Sequence, residues 1–215
     1  MEVHHCESKS MRKKLILYGG GSFAAEVSEV ARILGFDIIG YVDEFRTKCS
    51  LNYLGGPDEL EKLLTDKVYV FPSFGAVDRK SLGIRTLKLN SLKKFEVPNL
   101  ISPYAIVSDN VKFGGGVFVA HGSVLNSGCY IGKFCIINTL SIVGHDCKIM
   151  HNSIIAGKVF IGGSTEVGPR SLVGPGANVL QSLNIGSDTI ISFGACVARN
   201  VASGKTVAPI LSKVL

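Results

Sequence analysis

Large apolar residues recur at every sixth position throughout the second half of the chain. The series contains no polar residue and reads Ile101, Val107, Phe113, Val119, Leu125, Ile131, Ile137, Val143, Ile149, Ile155, Ile161, Val167, Val173, Val179, Ile185, Ile191 and Val197. Neither a helix nor a strand has this period, whereas hexapeptide repeats are typical of a parallel β-helix, a prism whose flat sides are short strands. We therefore predict that these residues point toward the prism axis.

Two further positions of the hexad support this prediction. The residue two before each aliphatic is mostly small, as at Ser123, Cys129 and Ser141, and is expected to fit the narrow corner of the prism. Glycine often follows the aliphatic directly, as at Gly114 and Gly132, and is expected to relax the turn.

The first half of the chain has a different pattern, one that predicts a βαβ unit. An apolar run ends in glycines at 19–21, a helical stretch follows with apolar residues at Val27, Val30, Ala31 and Leu34, and a second apolar run spans residues 38–42. A further helix is predicted from Asp58 to Leu64 behind Pro57, and a third strand over residues 68–71. Residues 81–98 are predicted to hold a short helix and an extended run.

Composition narrows the choice of functions. The 23 basic and 17 acidic residues give a formal charge of +6, and the basic residues are scattered, which argues against a nucleic-acid binder and suits a phosphate-bearing ligand. Six cysteines without a CxxC pair, and no signal peptide or membrane span, predict a cytoplasmic protein. Cys129, Cys135 and Cys147 lie at small inward positions and are expected to fill the core rather than act as nucleophiles.

The most specific motif is N-T-x-x-x-V-x-H-D-C, from Asn138 to Cys147. With the βαβ head and the uninterrupted hexads, it makes the chain resemble the NeuD/PglD-type sugar acetyltransferases over about residues 12–206. This family includes sialic-acid O-acetyltransferases and bacterial amino-sugar N-acetyltransferases. The resemblance implies a left-handed β-helix, a homotrimer with acetyl-CoA in the groove between neighbouring β-helices, a head that holds a nucleotide-linked sugar, and no metal.

The expected organisation has four parts. Residues 1–11 are predicted to be a disordered extension, 12–98 a Rossmann-like α/β domain that binds the sugar nucleotide, 99–202 the left-handed parallel β-helix of hexapeptide repeats, and 203–215 a C-terminal tail. Neither nucleic-acid binding nor membrane insertion is expected.

The resemblance also implies roles for individual residues. His145 would be the general base and Asp146 the acid that supports its basicity. The residues implied to contact the substrate are Gly21, Ser22, Phe23, Asp43, Glu44 and Asn138. Those implied to contact acetyl-CoA are Ile154, Gly163 and Pro175.

These roles agree with the chemistry of the residues. An amine bound as ammonium cannot attack a thioester, and a neutral imidazole is suited to removing its proton near pH 7. The stretch Gly19 to Ser22 follows the first strand and opens a helix, so its N–H groups could receive an anion. It is not a GxGxxG fingerprint, because Phe23 and Ala24 occupy the place of the third glycine.

The sequence departs from the family at points that leave the acceptor open. Phe23 and Ile154 stand where PglD-like members have histidines, and the ending TVAPILSKVL lacks the usual V-G-x-P-A. The preferred reading is N-acetylation of a nucleotide-activated amino sugar for bacterial surface polysaccharide or glycan synthesis. The alternative is O-acetylation of a sialic-acid-like sugar.

Two alternatives come from other classes of protein. His121, His145 and His151 share one hexad position, as the zinc ligands of a trimeric β-helical carbonic anhydrase would, but their spacings put them on three different edges of one prism. A catalytically dead scaffold is the non-enzymatic alternative, and the His145-Asp146 motif argues against it.

Overall fold

The protein consists of an α/β head followed by a three-sided parallel β-solenoid, as the hexads and the βαβ pattern predicted. The computed structural model describes residues 13–65 and 67–209. The predicted disordered extension, residues 1–11, lies outside the described residues, as do residues 210–215 of the predicted tail. No helix of the described part is long and apolar enough to cross a membrane.

The head is built on a three-stranded parallel sheet in the order β2-β1-β3. The strands are β1 (Lys14–Tyr18), β2 (Asp37–Val42) and β3 (Val68–Pro72), and helix α1 (Phe23–Ile33) joins the first two. Leu15 and Leu17 of β1 pack on the side of α1, whereas Ile16 and Tyr18 pack on the side of the later helices. Because β1 is buried on both faces, it reads as a continuous apolar run.

The rest of the head differs from the prediction in its helices. The helix predicted from Asp58 to Leu64 is a 3-10 turn, Pro57–Glu59, followed by the single-turn helix α2 (Leu60–Leu63). Where a short helix was predicted, α3 spans Arg79–Ser91 and continues into a second 3-10 turn, Leu92–Lys94. A capping box starts α3: the Oδ1 of Asp78 accepts from the backbone N–H of Ser81 at 2.7 Å.

The solenoid has three faces of two-residue strands, in which each strand pairs in parallel with strands one coil away. The first face holds β4 (Leu100–Ile101), β7 (Phe118–Val119), β10 (Ile136–Ile137), β13 (Ile154–Ile155), β16 (Leu172–Val173), β19 (Ile190–Ile191) and β21 (Thr206–Val207). The second face holds β5 (Ile106–Val107), β8 (Val124–Leu125), β11 (Ile142–Val143), β14 (Phe160–Ile161), β17 (Asn178–Val179) and β20 (Cys196–Val197). The third face holds β6 (Lys112–Phe113), β9 (Tyr130–Ile131), β12 (Lys148–Ile149), β15 (Glu166–Val167) and β18 (Asn184–Ile185).

The solenoid continues past residue 202, into the segment that the sequence predicted as a tail. Strand β21 pairs with β19 there and is the last described strand of the first face.

The inward residues of the hexads form the solenoid core, as predicted. The hydroxyl and thiol groups of the small residues beside them donate hydrogen bonds to backbone carbonyls 15 residues later in the chain. The hydroxyl of Ser141 donates to the Ala156 carbonyl at 2.7 Å, and the thiol of Cys147 donates to the Gly162 carbonyl at 3.2 Å. The core position predicted for Cys129, Cys135 and Cys147 is confirmed, since each is at most 1% exposed.

The predicted role of the glycines after the aliphatic residues is wrong. Positive φ angles occur two residues later, where nine of the described residues are not glycine and have φ between 54° and 59°. The glycines instead make room for the next coil: a Cβ at Gly114 would lie 2.5 Å from the backbone nitrogen of Lys133. Close stacking of the coils, rather than turn geometry, therefore requires glycine at this position.

The head docks on the first face of the solenoid. Six outward residues of that face are apolar and form one core with α1 and β1: Leu100, Phe118, Ile136, Ile154, Leu172 and Ile190. Phe23 meets Phe118 edge-to-face with ring centroids 5.2 Å apart. The head is therefore held against this face by a shared apolar core.

Candidate active site

His145 and Asp146 lie together on the solenoid edge between the second and third faces. We call this edge, residues 127–128, 145–146 and 163–164, the His145 edge. His145 Nδ1 and Asp146 Oδ2 are 2.9 Å apart, and both side chains are about two-thirds exposed, at 69% and 67%. Asp146 has φ of 57°, a left-handed conformation that aspartate tolerates better than most residues. A ligand in solution can therefore reach both side chains.

Neighbouring coils fix the backbone of this pair. The N–H of Asp146 donates to the Ser127 carbonyl at 2.9 Å, and the N–H of Ser164 donates to the His145 carbonyl at 2.7 Å. In the neutral imidazole, a proton on Nδ1 donates to the carboxylate and leaves the Nε2 lone pair as the acceptor. The pair can therefore remove a proton from a group placed beside Nε2.

Gly163 gives the imidazole its space. A Cβ at position 163 would lie 2.5 Å from His145 Nε2, far inside contact distance. The φ of Gly163 is not in the left-handed region, so the requirement is for room and not for conformation. The structure thus places Gly163, predicted to contact acetyl-CoA, directly against the predicted base.

A pocket between the head and the edge that joins the first and second faces brings together five of the predicted site residues. We call it the Phe23 pocket; its volume is about 490 Å³. The predicted residues that line it are Ser22, Phe23, Asn138, Ile154 and Pro175. Ile154 is only 5% exposed, so it offers little more than an apolar wall.

A second pocket, of about 590 Å³, lies against the start of α1 and the loop 47–51, and we call it the Gly21 pocket. Its walls include Gly21, Ser22, Arg32 and Lys48. Among the described residues, no acceptor is hydrogen-bonded to the N–H groups of Gly21, Ser22 and Phe23, so the positive end of α1 is open to an anion. Ser22 lines both pockets, which therefore adjoin.

Asp43 and Glu44 were predicted to contact the substrate, yet they line neither pocket. Asp43 Oδ2 accepts from the N–H of Gly20 at 2.9 Å, and Lys88 lies 2.6 Å from Glu44 and 3.4 Å from Asp43. Partial burial favours the neutral acid, but the hydrogen bonds with Glu44 and Gly20 and the charge of Lys88 outweigh it and hold the pKa of Asp43 below its usual value. Asp43 orients the glycine turn through these contacts.

The predicted residues fall into two groups separated by the second face. His145, Asp146 and Gly163 lie at one end of this face, and the Phe23 pocket lies at the other. Several outward residues of the second face are apolar and exposed: Ile106, Ile142 and Phe160 are 69%, 39% and 43% exposed. Asn178 is the polar outward residue near the end of this face. One chain alone does not bring the predicted base to the predicted substrate pocket.

The predicted separation of the three histidines is confirmed. His121 follows β7, His145 follows β11 and His151 follows β12, which places them on three different edges of the prism. Across residues 13–65 and 67–209, no group of three or more His, Cys, Asp or Glu side chains is arranged to hold a metal ion.

Sequence reasoning missed several residues that shape the site. Phe193 and Val77, which line the Phe23 pocket, are 62% and 85% exposed. Lys88 of helix α3 forms ion pairs with Asp43 and Glu44, which follow strand β2. The sequence does contain a signal for the docking face: the residue before each inward aliphatic is apolar from Leu100 to Ile190 on the first face, whereas on the third face it is lysine, tyrosine, glutamate or asparagine.

Comparison with known proteins agrees with this architecture. The family model of the PglD N-terminal domain matches residues 14–82. A comparison with curated proteins gave no match. Among solved structures, the H-to-N mutant of perosamine N-acetyltransferase from Caulobacter crescentus, in complex with CoA and GDP-perosamine, is 28% identical, with a TM-score of 0.80 over 90% of this chain and 92% of that one.

Two other solved structures extend the comparison. The acetyltransferase domain of PglB from Neisseria gonorrhoeae, in complex with acetyl coenzyme A, is 25% identical, with a TM-score of 0.83 over 91% of this chain and 95% of that one. PerB from Caulobacter crescentus, in complex with CoA and GDP-perosamine, is 30% identical, with a TM-score of 0.72 over 88% of this chain and 91% of that one. The expected resemblance is confirmed, and the protein belongs to the PglD-type family of sugar acetyltransferases.

Proposed function

We propose that the protein transfers the acetyl group of acetyl-CoA to the amine of a nucleotide-linked amino sugar. The observation that carries this proposal is the 2.9 Å contact between His145 Nδ1 and Asp146 Oδ2, which leaves Nε2 as an exposed base. Relatives of similar length were crystallised with CoA, acetyl-CoA and GDP-perosamine, which supports the choice of donor and acceptor class. Synthesis of a bacterial surface polysaccharide or glycan is the process to which such a product belongs.

The paired pockets support a nucleotide-linked acceptor. The Gly21 pocket has open N–H groups and two basic side chains, Arg32 and Lys48, which suit a diphosphate. The Phe23 pocket has apolar walls and the amide of Asn138, which suit a deoxy sugar. Because Ser22 lines both, one ligand can place its phosphates in the first pocket and its sugar in the second.

The proposed reaction is a direct transfer in a ternary complex. His145 Nε2 takes a proton from the amine as the nitrogen attacks the thioester carbonyl, so that a C–N bond forms. The C–S bond then breaks, and the proton passes to the CoA thiolate. The negative charge that develops on the carbonyl oxygen calls for a backbone N–H donor.

An acyl-cysteine intermediate is not needed, and Cys147, which follows the His145-Asp146 pair in the sequence, is unsuited to form one. Cys147 is fully buried, and its thiol donates to the Gly162 carbonyl. A hydrogen bond with Cys129 and burial both raise the pKa of Cys147, which keeps it a thiol.

We further propose that three copies assemble so that the His145 edge of one faces the Phe23 pocket of the next. The two groups of site residues lie at opposite edges of the second face, which exposes the apolar side chains of Ile106, Ile142 and Phe160. A contact between two different patches of the same chain is heterologous and closes into a ring when the rotation allows it. Acetyl-CoA would then lie between copies, touching Gly163 of one copy and Ile154 and Pro175 of another.

The first test is mass spectrometry of the products formed from acetyl-CoA and a panel of nucleotide-linked 4-amino sugars and sialic-acid-type sugars. One amino sugar should gain an acetyl group on nitrogen. Replacing His145 by alanine should lower kcat by about 100- to 10,000-fold, the usual contribution of a general base. Asp109→Asn, two coils away on the same edge, should keep full activity.

Other results would contradict particular parts of the proposal. An acetyl group on an oxygen of a sialic-acid-type sugar would overturn the acceptor while leaving the base in place. Full activity in His145→Ala would overturn the base, and acetyl-CoA binding without any product would favour the dead scaffold. A covalent acetyl group on Cys147 would overturn direct transfer.

A second prediction concerns Gly163. The Gly163→Ala variant should remain folded but lower kcat by at least tenfold, because the added methyl must displace the imidazole of His145. Gly21→Ala is the matched variant, because a Cβ at this position meets nothing within 4 Å. Its methyl group narrows the Gly21 pocket, so it should raise the KM for the nucleotide-linked sugar and leave kcat unchanged. Unchanged kcat in Gly163→Ala would show that the imidazole acts from another position.

A further inference from the structure

A third cavity, of about 650 Å³, lies away from the candidate active site. It is enclosed by α3, the segment 92–97 and the solenoid edge between the third and first faces, and we call it the Lys133 cavity. It shares no lining residue with the Gly21 and Phe23 pockets. Its volume is within the range of small-molecule sites.

The walls of the Lys133 cavity are mainly apolar. Leu89 and Leu92 are buried, and Phe134 is 9% exposed. Phe95 and Val97 pack against the same cluster and complete the wall. An apolar interior with a few polar groups at fixed places is the usual composition of a ligand pocket.

The rim carries an excess of positive charge. Lys93, Lys133 and Arg170 line the cavity together with the imidazole of His151, and Glu96 is the one acid among the described lining residues. Arg170 is neutralised by a two-point contact with Asp188, at 2.8 and 2.6 Å. Both lysines are exposed at the rim, and neither forms an ion pair within the described part of the chain.

A buried cation lies directly behind the wall. Arg85 is 2% exposed; it donates to Asn152 Oδ1 at 2.5 Å and to the Phe134 carbonyl at 2.8 Å. Asn152 and Phe134 both line the cavity. Burial lowers the pKa of Arg85 to about 10, which still leaves it charged at pH 7.

This charge has only neutral acceptors for partners among the described residues, and its Nε lacks one altogether. A buried charge without a counter-ion is costly, and its field is weakly screened in the protein interior. An anion in the adjoining cavity would lower that cost.

We propose that the Lys133 cavity binds a small organic anion with an apolar body. The anionic group, a carboxylate or a phosphate monoester, lies at the rim formed by Lys93 and Lys133. The apolar body lies against Leu89, Phe95 and Phe134. This site is independent of acetyl transfer, because it needs neither the His145 edge nor the two pockets beside Ser22.

Two probes that differ in a single anionic group test the proposal. The first is 8-anilinonaphthalene-1-sulfonate, and the second is N-phenyl-1-naphthylamine, which has the same apolar body without the sulfonate. Fluorescence titration of the full chain should show one saturable site per chain, with the sulfonate bound at least tenfold more tightly than the neutral probe.

Paired variants locate the charge. Lys93→Gln combined with Lys133→Gln should weaken sulfonate binding at least tenfold and leave the neutral probe unaffected. Lys112→Gln combined with Lys148→Gln removes the same charge from the outside of the third face and should change neither. Equal weakening by both pairs, or none by the first, would overturn the proposal.

A steric variant locates the apolar body. A Cβ at Gly115, which lines the cavity, would meet its nearest atom, the Val97 carbonyl oxygen, at 3.5 Å, so a side chain fits there. Gly115→Leu should therefore fold normally and weaken both probes at least tenfold. Undiminished binding of both probes in folded Gly115→Leu would place them elsewhere and overturn the assignment.

Discussion

The three faces of the solenoid share the same kind of inward residue, a large apolar side chain, and differ in the residues that they present outward. On the first face, every outward position from Leu100 to Ile190 is apolar and packs against the head. On the second face, Ile106, Ile142 and Phe160 are apolar and exposed. On the third face, lysine, tyrosine, glutamate and asparagine occupy the same position.

This difference separates two kinds of sequence information. The inward residues specify the coil, because each must fill the same prism cross-section. The outward residues specify what the coil touches: the head on the first face, a neighbouring copy on the second by our proposal, and solvent on the third. A repeat can therefore keep its fold while each face takes a separate role.

Two phenylalanines at the same hexad position provide the strongest test of the difference between the first and second faces. Phe118 is 1% exposed on the first face, and Phe160 is 43% exposed on the second. Phe118→Ala should lower the free energy of unfolding by about 3–5 kcal/mol, the usual cost of truncating a buried phenylalanine. Urea unfolding measures this loss, which should not depend on protein concentration.

Phe160→Ala should behave differently in the same experiment. Its effect should grow with protein concentration, because the side chain stabilises the chain through association and not through its own core. A concentration-independent loss as large as that of Phe118→Ala would contradict the proposed role of the second face.

A charge on the second face should sharpen the comparison. Phe160→Asp should shift the sedimentation mass from three chains to one while the circular dichroism spectrum stays unchanged, since an unpaired carboxylate is costly in an apolar interface. The rate of acetyl transfer should fall as the trimer dissociates, because the His145 edge then no longer faces the Phe23 pocket of a neighbouring copy. A single-chain mass in the unmodified protein would refute the assembly itself.

The smallest effect is expected on the third face. Lys148 lies 4.0 Å from Glu166, and the two side chains are 63% and 45% exposed. Lys148→Ala should change the free energy of unfolding by less than about 0.5 kcal/mol, as exposed pairs usually contribute little. A loss above about 1 kcal/mol in urea unfolding would show that this face is covered too.

Much of the fold was predictable because the solenoid repeats a local rule. The period of six, the small corner residues and the strand-turn-helix pattern all describe neighbours in sequence or one coil away. Helix α3 was underestimated, since its apolar residues form no continuous stripe and only the Asp78–Ser81 capping box marks its start.

The site was less predictable, because it depends on distant contacts. His145, Asp146 and Gly163 were predicted from the family resemblance, and they lie together within two coils. Lys88, in contrast, reaches Glu44 across 44 residues, and Arg85 reaches Asn152 across 67. No local pattern encodes such pairs, nor the separation of the base from the Phe23 pocket by a whole face.

The first-face docking also has a mechanical consequence. The head touches the solenoid near its start, where α1 packs on β4, and near its end, where Arg79 donates to the carbonyls of Asp188 and Gly204. A free solenoid pulled from its C-terminal end would unravel one coil at a time, because each coil contacts only its neighbours. Here the head bridges about six coil spacings, so a pulling force must detach the head before the coils can separate. The force-extension curve should therefore begin with one large unfolding step, and a series of small equal steps is not expected.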